Sequence, residues 1–216
     1  MLLPEEQFQQ ACAALPLVSV DFVLTDPHGR LLLGLRNNAP ARGWWFTPGG
    51  RIRKNEVFKE SMARIARNEL RLPADLLGAA VLMGAWDHFY PDSAFSPLIS
   101  THYVNLPYWL QLDWQDIDRM NLQPDNQHSA WQWMNVRQAE VDLSVHPYVQ
   151  VYAAWVKKHL EGMALTLSPT RDHGAQSFVE PGRVESSTTG RVWVVAFAFA
   201  AQCVRVDCPP CIGRLA

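Results

Sequence analysis

A glycine pair, followed at fixed spacing by three charged residues, constrains this chain more than any other feature. Gly49 and Gly50 precede Glu56, Arg64 and Glu69 in a frame that reads Gly-x5-Glu-x7-Arg-x4-Glu. Glycine lets the backbone turn sharply and approach a ligand closely. Apolar residues recur at helical spacing after the pair, so the frame predicts a turn that leads into an amphipathic helix.

This combination suits the binding of a diphosphate ester, which needs cations near its phosphoryl oxygens and rigid placement. The Gly49 carbonyl and the Glu69 carboxylate are oxygen ligands of the kind that Mg²⁺ prefers. Arg51 and Arg64 offer fork-shaped donors for phosphate, and we expect Glu56 to orient the turn or to pair with Arg64. The alternative is an ordinary glycine turn followed by a helix with a solvated charged face.

Composition narrows the class of protein. The chain has 216 residues, 48% of them hydrophobic, which suits one ordinary domain with a sizeable core and an appendage. A net charge of -2 argues against nucleic acid or an anionic membrane as a partner. The N-terminus lacks a secretory signal pattern, and the longest apolar run, residues 192–201, is too short to span a bilayer. We therefore expect a cytoplasmic protein without membrane contact.

The order of predicted elements indicates an α/β (α+β) fold, in which strands wrap around one or two helices. A turn is expected at residues 26–29, and the glycine pair is expected to end the third strand. The predicted strands are residues 17–24, 31–35, 44–46, 79–88, 101–112 and 130–136, and the predicted helices are residues 5–15, 56–70 and 148–160.

The composition shifts near residue 161, and residues 168–190 are rich in Ser, Thr, Gly and Pro, as linkers are. This predicts a folded domain over residues 1–160 and a C-terminal extension over residues 161–216. The extension holds Cys203, Cys208 and Cys211, which are one ligand short of a structural zinc site. A strand at residues 192–204, a partner-binding segment and a poorly ordered appendage all remain open.

The glycine frame resembles the signature of the Nudix hydrolases, and the wider chain resembles one branch of that family, the GDP-mannose mannosyl hydrolases. The full signature has acidic residues at the positions held here by Ile65 and Asn68. The branch keeps Glu69 and loses the acidic residue at Ile65. The resemblance is carried by residues 16–22, 32–36, 45–51, 86–90, 101–104 and 125–128, which read PLVSVDF, LLGLR, WFTPGGR, WDHFY, THYV and DNQH.

The resemblance implies a Nudix fold, with a mixed β-sheet sandwiched between α-helices, and a homodimer. It implies Mg²⁺-dependent hydrolysis of a nucleotide sugar, GDP-mannose and also GDP-glucose as candidates, to GDP and free sugar. Water attacks the anomeric carbon with inversion, and Mn²⁺ is expected to replace Mg²⁺. A site with fewer carboxylates holds fewer ions, which fits attack at carbon rather than at phosphorus.

The resemblance also assigns roles to individual residues. Gly49, Glu69 and Gln127 are implied as the metal ligands, and His128 as the base that activates water. Histidine suits this role because its unperturbed pKa lies near neutrality, and a nearby cation would keep the ring neutral. The alternative is that His128 only caps a loop.

Six further side chains are expected to contact the substrate or the reacting groups. Asp21 lies among apolar strand residues, and either contacts the sugar or forms a salt bridge. Arg36 and Tyr103 are placed to hold the diphosphate, together with Arg51 and Arg64. His88 is a weaker candidate, because it reads equally as a core histidine with satisfied hydrogen bonds. His102 alternates with Tyr103, so only one of the two should face the site.

Two questions stay open at this level. One tryptophan could stack on the nucleobase, although most of them suit a core or a dimer interface. The reaction could also be that of a conventional Nudix pyrophosphatase, which yields GMP and sugar 1-phosphate, or the chain could bind a nucleotide sugar without catalysis.

Overall fold

The structure is a computed structural model that describes residues 3–167. These residues form eight strands and five α-helices, with a 3-10 helix at Ala74–Ala79. The strands are β1 Leu17–Thr25, β2 Arg30–Arg36, β3 Trp45–Phe46, β4 Gly49–Arg51, β5 Val81–Leu82, β6 Trp86–Tyr90, β7 Thr101–Gln111 and β8 His128–Asn135. The helices are α1 Glu5–Ala14, α2 Phe58–Leu70, α3 Trp114–Arg119, α4 Val136–Ala139 and α5 Pro147–Leu167.

The strands form one mixed sheet with a parallel pair at its centre. Strands β1 and β7 run parallel over nine residue pairs. The other pairings are antiparallel: β1 pairs with β2 and β4, β2 with β3 and β8, and β7 with β5 and β6. The sheet order is β3-β2-β1-β7-β5, with β4, β6 and β8 joined at its sides.

Helices cover both faces of this sheet. Because side chains alternate along a strand, Val20, Phe22 and Leu24 of β1 join one apolar cluster with α2, whereas Val23 joins a second cluster with α5. The two clusters form the core, and each is built around buried aliphatic side chains. The predicted α/β class, with a mixed sheet between helices, is confirmed.

Strands β1 and β2 diverge from their hairpin, and this divergence positions the functional residues. Strand β1 pairs with β2 at Thr25, but further along it pairs with β4, which brings Asp21 opposite Gly49. Strand β2 instead pairs with β8, which brings Arg36 opposite His128. The polar residues of the two strands therefore face a common opening.

Several predicted boundaries are wrong. The glycine pair does not simply end a strand, because Gly49–Arg51 forms β4 against β1. Helix α2 begins at Phe58 rather than at residue 56, and the strand predicted over residues 79–88 is divided into β5 and β6. Helix α2 ends at Leu70 even without glycine, since Arg71 itself adopts a left-handed conformation with φ of 58°.

The last helix, α5, extends to Leu167 and so passes the predicted domain boundary at residue 160. The predictions for Cys203, Cys208, Cys211 and the strand at residues 192–204 lie outside the described residues. None of the described helices combines the length and hydropathy that a membrane span requires.

Candidate functional site

A cavity of about 650 Å³ opens where β1 and β2 diverge. Its walls come from α1, α2, six strands and the loops around residues 40, 95 and 126. Nine of the ten residues predicted for the site line it, namely Asp21, Arg36, Gly49, Arg51, Arg64, Glu69, His88, Tyr103 and Gln127. The tenth, His128, is fully buried and does not itself line the cavity.

Gly49 is required for close packing rather than for a special turn. Neither Gly49 nor Gly50 has a positive φ. A Cβ atom built on Gly49 would overlap the Asp21 carboxylate and would lie 2.5 Å from the Val20 carbonyl oxygen. The glycine therefore lets β4 lie directly against the carboxylate-bearing part of β1, which a larger residue would prevent.

Glu56 and Arg64 stabilise the segment between β4 and α2. Arg64 donates two hydrogen bonds to the Glu56 carboxylate, at 2.5 and 2.7 Å, and a third to the Arg51 carbonyl at 2.9 Å. Glu56 also accepts from the Arg53 backbone N–H at 3.0 Å. The hydrogen bond from Arg64 lowers the pKa of Glu56 to about 2. The predicted pairing of these two residues is confirmed, and it occupies much of the Arg64 guanidinium.

A cationic wall faces the carboxylates of the cavity. Arg36, Arg51, Arg53 and Arg64 all line it. The Arg51 guanidinium lies 3.9 Å from the centre of the Phe8 ring, a cation–π geometry that holds the side chain in place. Such a concentration of guanidinium groups suits a ligand with several phosphoryl oxygens.

Asp21 is the centre of a buried hydrogen-bond network. Its Oδ2 atom accepts from Asn105 Nδ2 at 2.8 Å and from the Tyr152 hydroxyl at 3.2 Å. Asn105 is fixed in turn, because its Oδ1 atom accepts from Ser19 Oγ at 2.7 Å. Burial raises the pKa of Asp21 to about 7, against the lowering effect of these hydrogen bonds. The salt bridge left open by the sequence is not what satisfies this carboxylate.

His88 extends the same network. Its Nε2 atom lies 2.9 Å from the Tyr152 hydroxyl, and its ring stacks on Tyr148 with a centroid separation of 3.9 Å. Burial lowers the pKa of His88 to about 3, so the ring is neutral. His88 lines the cavity, but its contacts match those of a core histidine with satisfied hydrogen bonds.

Tyr103 and His102 lie on opposite sides of β7, as their alternation predicts. Tyr103 lines the cavity, and burial raises the pKa of its phenol to about 12. His102 instead lies 3.0 Å from Asp87 and stacks on Phe89. The phenol of Tyr103 is therefore a neutral hydrogen-bond donor for a ligand.

Glu69 and Gln127 meet at the other end of the cavity. Gln127 Nε2 donates to Glu69 Oε1 at 2.7 Å, so its amide nitrogen faces the carboxylate, whereas its Oε1 lies 3.5 Å from Arg36 Nη1. As a metal ligand, Gln127 would have to rotate its amide by half a turn. Burial and the charge of Asp125 raise the pKa of Glu69 to about 7.

The Glu69 carboxylate fits a divalent cation. Its Oε2 atom is buried without a hydrogen-bond partner among the described residues, which is costly for a carboxylate oxygen. The Gly49 carbonyl and, after rotation of the amide, the Gln127 oxygen would complete a set of oxygen donors suited to a hard ion. Such an ion would supply positive charge beside the phosphates of a substrate.

His128 is tightly held, but its ring nitrogens have no hydrogen-bond partner among the described residues. The imidazole packs on Trp131 with a centroid separation of 4.4 Å, and a Cβ on Gly34 would overlap it. Burial and the charge of Arg36 lower the pKa of His128 to about 4. Its backbone N–H donates to Asp125 Oδ1 at 2.7 Å. The ring is thus neutral at pH 7, as the proposed base must be, and does not serve as a loop cap.

Several site residues were missed by sequence reasoning. Asp125 lines the cavity and orders the loop before β8, and Asn105 and Tyr152 position Asp21. Asp125 stands three residues before His128, a spacing that suggests an Asx turn. Phe8 and Phe95 contact each other edge to face with centroids 5.4 Å apart, and both line the cavity.

None of the described tryptophans lines this cavity. Trp109 is buried, and Trp45 and Trp86 pack against the same core cluster. Trp131 and Trp133 pack against the second cluster, and Trp44 contacts His146. The expectation that most tryptophans belong to the core is confirmed, and the aromatic surface open to a ligand is made of phenylalanine and tyrosine.

A profile of the NUDIX domain matches residues 15–156, which include every element that lines the cavity except α1. This chain belongs to the Nudix family. Members of the family hydrolyse nucleoside diphosphate derivatives, generally with divalent metal ions. A curated relative, the low-salt glycan biosynthesis protein Agl8 of Haloferax volcanii, is 36% identical over 150 residues, covering 69% of this chain and 88% of that protein.

Solved structures agree on the fold. The MutT protein of Methanosarcina mazei superposes with a TM-score of 0.53 at 15% identity, covering 68% of this chain and 96% of that one. The NUDIX domain of Shewanella oneidensis NrtR, crystallised with ADP ribose, gives a TM-score of 0.52 at 17% identity, covering 73% and 99%. At these identities the likeness concerns the fold alone.

Proposed function

We propose that this chain hydrolyses a nucleoside diphosphate sugar, with GDP-mannose as the first substrate to test and GDP-glucose as the second. The proposed products are GDP and the free sugar with inverted anomeric configuration. A divalent cation, Mg²⁺ in the proposal, would neutralise the departing nucleoside diphosphate. The kinship with a glycan biosynthesis protein supports a sugar-containing substrate.

The observation that carries this proposal is the small number of carboxylates that α2 contributes to the cavity. Ile65, where the full signature is acidic, is only 2% exposed and packs in the core beside Gly50. Asn68 lines the cavity but is uncharged, so Glu69 is the carboxylate that α2 contributes there. Attack at phosphorus is helped by several metal ions around the diphosphate. A site with one α2 carboxylate is better suited to assist departure of an intact GDP.

In the proposed reaction, a bond forms between the water oxygen and the anomeric carbon, and the bond from that carbon to the β-phosphate oxygen breaks. The electron pair leaves with GDP, and His128 accepts a proton from the water. A neutral imidazole has one nitrogen lone pair for this purpose, and the lowered pKa of His128 keeps it available. We assign Asp21, which is half ionised near pH 7, to the sugar hydroxyl groups.

The diphosphate would contact Arg36, Arg51 and Tyr103, whose donor groups line the cavity. Arg64 is included in the proposal, although it already holds Glu56 and the Arg51 carbonyl. His88, which lines the cavity and lies within hydrogen-bond distance of the Tyr152 hydroxyl, is the remaining substrate-binding residue of the proposal. Gly49, Glu69 and Gln127 are the proposed metal ligands.

Product analysis tests the proposal directly. The full chain is incubated with GDP-mannose and Mg²⁺, and the nucleotides are separated by chromatography. GDP as the main product supports attack at carbon, whereas GMP with sugar 1-phosphate would establish the pyrophosphatase alternative. In water labelled with ¹⁸O, the label should enter the sugar and be absent from the nucleotide.

A binding protein without catalysis is the remaining alternative. It predicts that calorimetry detects tight binding of a nucleotide sugar while no product forms over long incubation. GDP-glucose, ADP-ribose and UDP-glucose belong in the same panel, since the aromatic residues at the cavity wall do not by themselves select a base.

Three further properties stay part of the proposal. We propose a domain over residues 1–160, followed by an extension, and the NUDIX match at residues 15–156 lies within that domain. We propose a homodimer in the cytoplasm, to be tested by light scattering and by cell fractionation. A monomer at working concentration would reject the dimer.

A further inference from the structure

Three potential ligand groups converge beside the proposed metal site. Glu69, Asp125 and His128 each have a ligand atom within 4.8 Å of those of the other two. A cation at the centre of such a triangle would lie at most about 2.8 Å from each atom, against about 2.1 Å for nitrogen and oxygen ligands of a bound transition metal. Closing that difference takes only small side-chain rotations.

Unpaired atoms within the group are a second, independent sign of a ligand. Glu69 Oε2 and both ring nitrogens of His128 are buried without hydrogen-bond partners among the described residues. The His128 side chain is 1% exposed, and its Nδ1 atom lies 3.6 Å from Asp125 Oδ1, too far for a hydrogen bond. A buried polar group without a partner is costly, and one shared cation would compensate a carboxylate oxygen and an imidazole nitrogen together.

The backbone holds these groups in place. Asp125 Oδ1 accepts from the backbone N–H groups of Gln127 and His128 at 2.8 and 2.7 Å, which fixes the loop before β8. The Asp125 N–H donates to the His128 carbonyl at 2.8 Å. Gly34 leaves room for the imidazole ring. Glu69 approaches from the last turn of α2.

We propose that Glu69, Asp125 and His128 bind a first-row transition-metal dication such as Mn²⁺ through two carboxylates and one imidazole. Imidazole nitrogen suits such ions, whereas Mg²⁺ prefers oxygen. This set shares Glu69 with the proposed Mg²⁺ ligands, so the two cations compete. The ligand set itself does not depend on the proposed function.

Pulsed electron paramagnetic resonance of Mn²⁺ tests the ligand set without any substrate. The full chain, loaded with less than one equivalent of Mn²⁺, should show ¹⁴N modulation from a directly bound imidazole. His128→Gln should abolish the imidazole modulation. His102→Gln is the matched control, because His102 pairs with Asp87 outside the cavity, and it should leave the spectrum unchanged. Mn²⁺ is preferred to Zn²⁺ as the probe because thiolates of the C-terminal cysteines would bind zinc.

Asp125→Asn provides a second test in case the His128 variant does not fold, since Asp125 is an exposed loop residue. It should weaken Mn²⁺ binding about tenfold or more while the ¹⁴N signal persists at saturation. A parent protein without imidazole modulation, or a His128→Gln variant that keeps it, would overturn the site. Product formation with Mg²⁺ alone is measured separately, so failure of the proposed reaction leaves this result intact and the reverse also holds.

Discussion

The two ends of the cavity differ in how their polar atoms are satisfied. At the Asp21 end, Asn105, Tyr152 and His88 bond to one another and to the carboxylate. At the Glu69 end, one carboxylate oxygen and both nitrogens of His128 have no hydrogen-bond partner among the described residues. His128 is as deeply buried as Asp21, Asn105 and His88, so burial alone does not cause the difference.

This contrast indicates that the two ends of the cavity are prepared for a ligand in different ways. The Asp21 end is held by the protein itself, so it can present a fixed carboxylate to an incoming group. The Glu69 end carries a desolvation cost that a bound cation or substrate would relieve. We therefore expect mutations at the Asp21 end to affect folding, and mutations at the Glu69 end to affect binding and turnover.

The largest expected effect comes from His128→Gln. Loss of a general base typically costs about 10²–10⁴ in rate, so kcat for GDP-mannose with Mg²⁺ should fall by that factor while GDP binding persists. Steady-state kinetics and calorimetry measure the two quantities. His102→Gln, at the far side of β7, should retain parental kcat. Parental turnover in His128→Gln would remove the base role.

The second-largest effect is expected in the pH dependence of the unfolding free energy, which should distinguish the Asp21 end from the Glu69 end. The folded-state pKa of Asp21, about 7, is above its ordinary value, so folded Asp21 retains a proton that the unfolded chain loses. Its contribution to stability is therefore lost as the pH rises from about 4 to 7. In Asp21→Asn, the free energy of unfolding relative to the parent should rise across this window by up to about 1.4 kcal/mol per pH unit.

Urea unfolding of both proteins at pH 5, 6 and 7 measures that difference. The comparison with the parent is needed because His88, His128 and His146 have lowered pKa values. Their effect is to make the unfolding free energy rise with pH, and this effect is the same in the parent and in Asp21→Asn. Equal pH slopes for Asp21→Asn and the parent would contradict a raised pKa at Asp21.

Tyr152→Phe should cost about 1–3 kcal/mol of unfolding free energy. It removes the hydroxyl that bonds to Asp21, Asn105 and His88, so these buried side chains each lose a hydrogen-bond partner. Tyr108→Phe is the control, since that half-buried ring packs on Phe58. Chemical denaturation measures both. A Tyr152→Phe variant as stable as the control would show that the Asp21 end does not depend on this network.

The smallest effect is expected from Asn68→Asp, which restores an acidic side chain beside Glu69. Added negative charge should tighten Mg²⁺ binding a few fold, roughly 1 kcal/mol or less. Arg67→Gln changes the net charge equally on the same helix but lies outside the cavity lining, so it should have less effect. Calorimetric titration with Mg²⁺ compares the two. Equal gains would mean that only the long-range field matters.

The cavity lining could be predicted well because strands and helices impose regular spacing. Asp21, Arg36 and Tyr103 lie on strands whose alternation directs them inward, and Glu69 follows Arg64 along α2 at the frame's spacing. Asn105 and Tyr152 could not be predicted, because 47 residues separate them in sequence and only the packing of α5 on the sheet brings them to Asp21. The packing of Gly49 against Asp21 could not be predicted either, since Asp21 is supplied by another strand.

From its sequence alone, this protein could be assigned a Nudix fold, a weakened set of α2 carboxylates and the identities of many residues that line the cavity. Those properties depend on residue type and local spacing. Tertiary structure alone decided which polar atoms are satisfied, that the ring of His128 is buried, and that Asp125 joins Glu69. Hydrogen bonding and desolvation depend on distances between segments remote in the chain, and the packing of the sheet and helices sets those distances.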